Sequence, residues 1–138
     1  MRLDEAINRI VEDLSSEPVL LEVCLAVVRS VASRDADQFR RVTPRMVSKM
    51  ANASEPSATM SALAYLCGER LPVFVPRYSF IDDDHDEMID DEVMRLLMNG
   101  EPYHDAHGDV FESPLDRVFT HFELSPQARD MANSAESR

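Results

Sequence analysis

The sequence predicts an α+β protein that is mostly helical. Apolar residues recur at three- and four-residue intervals along most of the chain, whereas residues 71–81 are instead rich in branched and aromatic side chains. With 138 residues, of which 44% are hydrophobic, the chain is long enough to bury the core of one domain. We therefore expect a single compact domain over residues 1–124, with a helical part at 1–81, an acidic part at 82–124 and a flexible tail at 125–138.

Two helices are predicted at the start of the chain. In the first, the apolar residues form one stripe, which indicates a surface helix that packs by one face. These residues are Leu3, Ala6, Ile7, Ile10, Val11 and Leu14. The second, from Val19 to Ala32, is apolar on nearly all sides, so we expect it at the centre of the core, with Pro18 in its first turn.

Two shorter helices follow a polar link. Thr43 before Pro44 predicts the N-cap of the first, and a turn over residues 52–54 separates it from the second, which is predicted to begin at Ser54 or Ser57. The residues predicted to face inward from the second are Met60, Leu63, Ala64, Leu66 and Cys67. Two short helices joined by such a turn are typical of a helix-turn-helix.

Extended and helical patterns alternate in the rest of the chain. Residues 71–81 predict an edge strand, because Pro72 and Pro76 cannot donate backbone hydrogen bonds. An acidic run at 82–87 then precedes a helix that ends before Gly100, and residues 102–112 predict a hairpin. The residues predicted to face inward from that helix are Ile89, Val93, Leu96 and Leu97. A last helix is predicted after Ser113, with Leu115, Val118, Phe119 and Phe122 inward.

The order of elements over residues 18–81 resembles a winged-helix domain, in which the second helix of the helix-turn-helix enters the DNA major groove and a strand hairpin forms the wing. The resemblance implies phosphate contacts from Arg40, Arg41, Arg45 and Lys49, with Ser57, Thr59 and Ser61 nearest the bases. However, residues 55–67 contain no arginine, lysine, asparagine or glutamine, the residues that read bases most specifically. A partner strand for the wing is also not evident, since the acidic run follows Ile81 directly.

The charge of the chain is distributed unevenly. Residues 79–138 carry four basic and sixteen acidic side chains and account for the whole net charge of −12. We expect the acidic stretch to be a protein-docking patch that complements the surface around Arg40, Arg41 and Arg45, because such patches steer encounter and orientation. The residues assigned to it are Asp82, Asp83, Asp84, Asp86, Glu87, Asp90 and Asp91. Apolar anchors would come from exposed residues such as Tyr78 or Tyr103.

No pattern in the sequence predicts catalysis, a cofactor or a metal. The acidic run from Asp82 partly resembles an EF-hand loop, but Glu87 stands where glycine is needed and Val93 where the bidentate glutamate is needed. His104, His107 and His121 have no cysteine near them, and Cys24 and Cys67 lie on predicted inward faces. A nucleophile elbow and a glycine-rich phosphate loop are both absent from the sequence.

The sequence therefore predicts a non-enzymatic regulatory or adaptor protein that binds another protein. DNA binding through the helix-turn-helix is the second hypothesis, and mimicry of nucleic acid by surface carboxylates is the third. The two patches of opposite sign also suit a homodimer. Without a signal-peptide pattern or a long apolar segment, the expected location is the cytoplasm, with no membrane contact.

Overall fold

The computed structural model describes residues 1–83 and 85–132, and it shows the mostly helical α+β fold that the sequence predicts. The helices are α1 (Leu3–Leu14), α2 (Pro18–Ala32), α3 (Pro44–Ala51), α4 (Pro56–Leu66) and α5 (Asp91–Met98). The strands are β1 (Phe74–Asp82), β2 (His85–Ile89), β3 (Tyr103–His104), β4 (Val110–Phe111) and β5 (Val118–Leu124). Shorter 3-10 helices are formed by Ala36–Phe39, Pro114–Arg117 and Pro126–Met131. No helix within the described ranges has both the length and the apolar character to cross a membrane.

The chain divides into two compact units at different boundaries from those we predicted. One unit contains residues 1–76 and 122–132, and the other contains residues 77–121. The C-terminal segment belongs with the N-terminal helices because Val42 and Phe122 exchange two backbone hydrogen bonds, of 2.7 and 2.8 Å. The second unit has three arginines and thirteen carboxylates, so ten of the twelve net negative charges lie in its 45 residues.

Helix α2 forms the centre of the first unit, as predicted. It packs against α1, α3 and α4, and seven of its fifteen residues are buried. Each buried valine contributes about 2 kcal/mol by removing its side chain from water. The predicted stripe of α1 is confirmed for Ala6, Ile10 and Leu14, which are buried, whereas Val11 is exposed.

A polar cluster ties α1 to the end of α4. The Asp13 carboxylate accepts hydrogen bonds from the Tyr65 hydroxyl at 2.6 Å and from two Arg70 nitrogens at 2.6 and 3.2 Å. These hydrogen bonds lower the pKa of Asp13, and the one from Arg70 has the largest effect. Burial and the bond to Asp13 raise the pKa of Tyr65.

The packed part of the chain extends beyond residue 124, where we predicted the compact domain to end. The Ser125 hydroxyl donates to the Pro72 carbonyl at 2.5 Å and accepts from the Ala128 amide at 3.1 Å, which caps the 3-10 helix Pro126–Met131. Ala128 and Met131 are fully buried. The flexible tail predicted from residue 125 is therefore wrong up to Ala132, and residues 133–138 lie outside the described residues.

The second unit is built on a three-stranded antiparallel arrangement with the order β2-β1-β5. Strand β1 is thus central, and its prediction as an edge strand is wrong. Pro76 lies outside the stretch of β1 that pairs with β2, which runs from Tyr78 to Asp82. The hairpin predicted at 102–112 is confirmed as β3 and β4, and the Phe80 ring packs on the rings of Tyr103 and Phe111 at 4.5 and 4.8 Å.

The predicted last helix is wrong. The chain makes only the 3-10 helix Pro114–Arg117 and then continues as strand β5, in which Phe119 is exposed and Phe122 is buried. Helix α5 begins later than predicted, since Ile89 belongs to β2 and the Asp90 carboxylate caps the helix by accepting from the Val93 amide at 2.8 Å. Leu96, predicted to face inward, is exposed.

Candidate functional site: the α2–α4 groove and the surfaces around it

A groove opens on the first unit between the N-terminal ends of α2 and α4 and the turn that precedes α4. Its main cavity has a volume of about 620 Å3, and an adjoining depression of about 380 Å3 extends it along α4 to Ser57 and Ser61. We call this surface the α2–α4 groove. Its apolar lining consists of Pro18, Val19, Leu20, Val23, Ala26, Ala51, Ala53 and Ala58. Val19 is 65% exposed there, although its place in an apolar run predicted burial.

Local sequence signals determine where the two helices that border the groove begin. Proline occupies the first position of both helices, Pro18 in α2 and Pro56 in α4, where its fixed φ favours helix and its missing N–H costs nothing. Asn52 ends α3 in the left-handed conformation with φ of 50°, which lets the chain turn sharply into α4. The structure thus corrects the predicted cap: Glu55 precedes the first turn of α4, rather than Ser54 or Ser57.

The groove is electronegative. Glu17, Glu22 and Glu55 are exposed in its lining, which includes no arginine or lysine among the residues that the structure describes. The two helix N-termini contribute only about half a positive charge each. The three carboxylates therefore outweigh them, and the groove favours a ligand that carries positive charge.

Helix α4 is rotated differently from the sequence prediction. Ala62, Leu63 and Leu66 are buried, whereas Met60 is 53% exposed and Ala64 is also exposed. The inward placement predicted for Met60 and Ala64 is therefore wrong. The spacing of the apolar residues fits a buried stripe shifted by one residue in either direction. Packing against α2 determines which of these stripes is buried.

Of the three predicted base contacts, two lie on the outer face of α4. Ser57 and Ser61 are exposed, but Thr59 is 1% exposed, with its hydroxyl oxygen 2.7 Å from that of Ser48 on α3. Thr59 is thus part of the packing between α3 and α4, and its role as a base contact is wrong.

The four predicted phosphate contacts are exposed, on and just before α3. Arg45 and Lys49 stand one helical turn apart on α3, and Arg41 precedes the Thr43 cap, whose side chain accepts from the Met46 amide at 3.2 Å. Arg40 is engaged with the Asp37 carboxylate at 3.0 Å. A cationic surface is therefore present.

The β1–β2 hairpin supplies the partner strand that was not evident in the sequence. Ser79 pairs with Met88 and Ile81 with Asp86, so the acidic run continues into a strand rather than directly into a helix. Asp82, the last residue of β1, lies 3.6 Å from Arg117, and the turn that follows it carries the exposed Asp83. Asp84 lies outside the described residues.

The predicted acidic docking patch is partly used within the fold. The Glu87 carboxylate accepts from the Ala106 amide at 2.8 Å and from the Tyr103 hydroxyl at 3.3 Å, so it stabilises the β3–β4 region. Asp90 caps α5, while Asp83, Asp86 and Asp91 are exposed. Tyr103, expected as an exposed anchor, is 9% exposed.

Within the described ranges, no group of three or more histidine, cysteine or acidic side chains is placed to hold a metal ion. His104 and His107 are exposed, whereas His121 is buried. Burial raises the pKa of Cys24 to about 12 and that of Cys67 to about 11. Both thiols are therefore protonated and weakly nucleophilic at neutral pH.

Comparison of the chain with models of protein families, with curated proteins and with solved structures found no match.

Proposed function

We propose that this protein is a non-enzymatic regulator or adaptor and that the α2–α4 groove receives a segment of a partner protein. One observation carries the proposal. The outer face of α4, which a helix-turn-helix would present to DNA, bears Ser57, Met60, Ser61 and Ala64 and adjoins an apolar groove with an acidic lining.

Electrostatics disfavours DNA at this face. Charge attraction to phosphates supplies most of the affinity of non-specific DNA binding. Glu17, Glu22 and Glu55 would instead repel a phosphate backbone that approached α4.

The chemistry of the groove indicates the kind of segment it binds. Its main cavity of about 620 Å3 lies within the range of about 300–1,000 Å3 that is usual for ligand sites. Apolar side chains of the partner would cover Val19 and the alanines of the lining. Lysine or arginine side chains beside them would face Glu17, Glu22 and Glu55.

The test is site-specific photo-crosslinking in cells, with a photoreactive amino acid in place of Ser57. We expect a discrete crosslinked protein that is lost in Val19→Asp. The matched control is Val11→Asp, since Val11 is also an exposed valine on a helix but lies outside the groove. Equal crosslinking in Val19→Asp and Val11→Asp would overturn the proposal.

DNA binding remains the second candidate because Arg41, Arg45 and Lys49 are exposed and because a hairpin follows α4. Fluorescence anisotropy of random duplex DNA over a salt series tests it, since the slope counts phosphate contacts at about 0.9 each. Salt-sensitive binding that is lost when Arg41, Arg45 and Lys49 become alanine would support DNA binding over the first proposal. A variant with Arg2, Arg34 and Arg129 changed to alanine removes the same charge elsewhere and is the control.

A further inference from the structure

A second apolar surface lies in the unit of residues 77–121, at the C-terminal end of α5. Two clefts of about 340 and 210 Å3 adjoin each other, since both are lined by Leu97 and Glu101. Leu96 lines the first and Leu115 the second, and these side chains are 45% and 47% exposed. We call this surface the α5 cleft. Large apolar side chains grouped around a cleft, rather than scattered singly, are typical of a binding site.

The fold explains why these leucines are exposed. Leu97 is 2% exposed in the core, and Leu96, one residue earlier on the helix, points about 100° away from it. Gly100, with φ of 91°, then turns the chain, and the Glu101 amide donates to the Leu96 carbonyl at 3.1 Å. The 3-10 helix Pro114–Arg117 packs beside α5 and brings Leu115 to the cleft.

The charge around the cleft is negative. Glu101, Glu112 and Asp116 are exposed in its lining, and the C-terminal end of α5 adds about half a negative charge. Two arginines of this unit, Arg95 and Arg117, lie outside the lining. They pair with carboxylates elsewhere, Arg95 with Glu92 at 4.0 Å and Arg117 with Asp82 at 3.6 Å.

We infer that the α5 cleft binds a cationic amphipathic segment of a partner protein. The apolar side chains of that segment cover Leu96 and Leu115, and its lysine or arginine side chains face Glu101, Glu112 and Asp116. Charge complementarity selects this occupant, because the thirteen carboxylates of the unit disfavour an acidic segment or a nucleic acid. This site is separate from the α2–α4 groove and does not depend on it.

Mimicry of nucleic acid is the main competing explanation for so acidic a unit. A mimic engages a basic surface through its carboxylates, so its binding depends on charge over the whole unit and not on two leucines. The two hypotheses therefore differ in how binding responds to substitution of an apolar residue and to the position of a substituted charge.

The experiment uses the full chain and a labelled model peptide of leucine and lysine that forms an amphipathic helix of about four turns. By fluorescence anisotropy, we expect Leu115→Asp and Glu101→Lys each to weaken binding about tenfold. The matched controls are Val110→Asp, also at an exposed apolar residue of this unit, and Asp83→Lys, which changes the charge equally. We expect each control to change affinity by less than about twofold. All four positions are exposed, and circular dichroism verifies folding.

Four results would overturn the inference. The first is equal weakening by Asp83→Lys and Glu101→Lys, which is expected of a mimic. The second is equal binding of a peptide with the same composition in scrambled order, and the third is no binding of the amphipathic peptide. Loss of binding in Val19→Asp, with Leu115→Asp unaffected, would also overturn it while placing the peptide in the α2–α4 groove, so the two proposals fail separately.

Discussion

Ser48 and Thr59 join α3 to α4 through their hydroxyl groups, whose oxygens lie 2.7 Å apart. Thr59 is almost fully buried, so this hydrogen bond lies on the inward face of α4. Met60 and Ser61 follow Thr59 directly and are therefore turned toward solvent beside the α2–α4 groove. The packing that buries Thr59 thus leaves Ser61 on the candidate binding surface.

Removal of one hydroxyl from this pair is expected to destabilise the protein. Thr59→Val leaves the Ser48 hydroxyl without this partner, so we expect a loss of about 1–2 kcal/mol in the free energy of unfolding, measured with urea. The double variant Ser48→Ala, Thr59→Val should lose less than the sum of the single variants. Ser61→Ala, on the exposed face of α4, is the control and should change stability by less than about 0.5 kcal/mol. Additive losses would contradict the pairing.

A second prediction follows from the orientation of α4 and concerns two of its apolar residues, Met60 and Leu63. Leu63→Ala should lower the free energy of unfolding by about 3 kcal/mol, because it opens a cavity in the core. Met60→Ala should lower it by less than about 0.5 kcal/mol, because Met60 is already more than half exposed. Thermal or urea denaturation followed by circular dichroism measures both. A loss for Met60→Ala close to that for Leu63→Ala would indicate that Met60 faces inward, as the sequence predicted.

The Asp13 cluster makes stability depend on pH on the acidic side. Hydrogen bonds from Arg70 and Tyr65 hold the pKa of Asp13 below its unfolded value of 3.8. The stabilisation is thus present above about pH 4 and is lost as the pH falls through the folded pKa. As the pH is lowered from 7 to 3, the melting temperature of the wild type should fall more steeply than that of Asp13→Asn. Asp37→Asn, at an exposed carboxylate, should keep the wild-type slope, and an unchanged slope in Asp13→Asn would contradict the prediction.

The cysteines are expected to react slowly with thiol reagents in the folded protein. Burial holds the pKa of Cys24 near 12 and that of Cys67 near 11, so little thiolate exists at pH 7.5. Labelling with a chromogenic disulfide should be slow in buffer, with Cys67 ahead of the fully buried Cys24, and fast in urea. The variant Cys67→Ser isolates the Cys24 rate. Rapid labelling of Cys24 without denaturant would show that α2 is not packed as described.

Local sequence patterns predicted correctly those features that depend on a single side chain or on one helix face. The Thr43 cap, the core position of α2 and the β3–β4 hairpin are all confirmed by the structure. These features depend on neighbours within a few residues, such as an oxygen that accepts from an amide three positions later. The cationic side chains Arg45 and Lys49 are also exposed on α3.

Strands β2 and β5 could not be predicted in the same way. The acidic run that includes Asp86 and Glu87 was interpreted as a helix start, but Glu87 finds its partners at Tyr103 and Ala106, sixteen and nineteen residues away. In β5, the spacing of Val118, Phe119 and Phe122 fits a helix as well as a strand. Pairing with a distant strand decides between them, and a local period does not contain that information.

The candidate site was only partly predictable for a similar reason. Val19 lies at the start of a helix that is apolar on nearly all sides, so its sequence context does not distinguish an exposed first turn from a buried centre. The glutamates at positions 17, 22 and 55 are dispersed in the sequence and come together only because the starts of α2 and α4 meet.

The sequence alone determined the fold class, the central place of α2 and the concentration of negative charge in the second half, because composition and short-range periodicity are sufficient for these. Only the tertiary structure decided which face of α4 is exposed, where the two units divide, and which leucines and carboxylates meet at the α5 cleft. The physical reason is that burial, strand pairing and the grouping of charges depend on contacts between residues far apart in the chain.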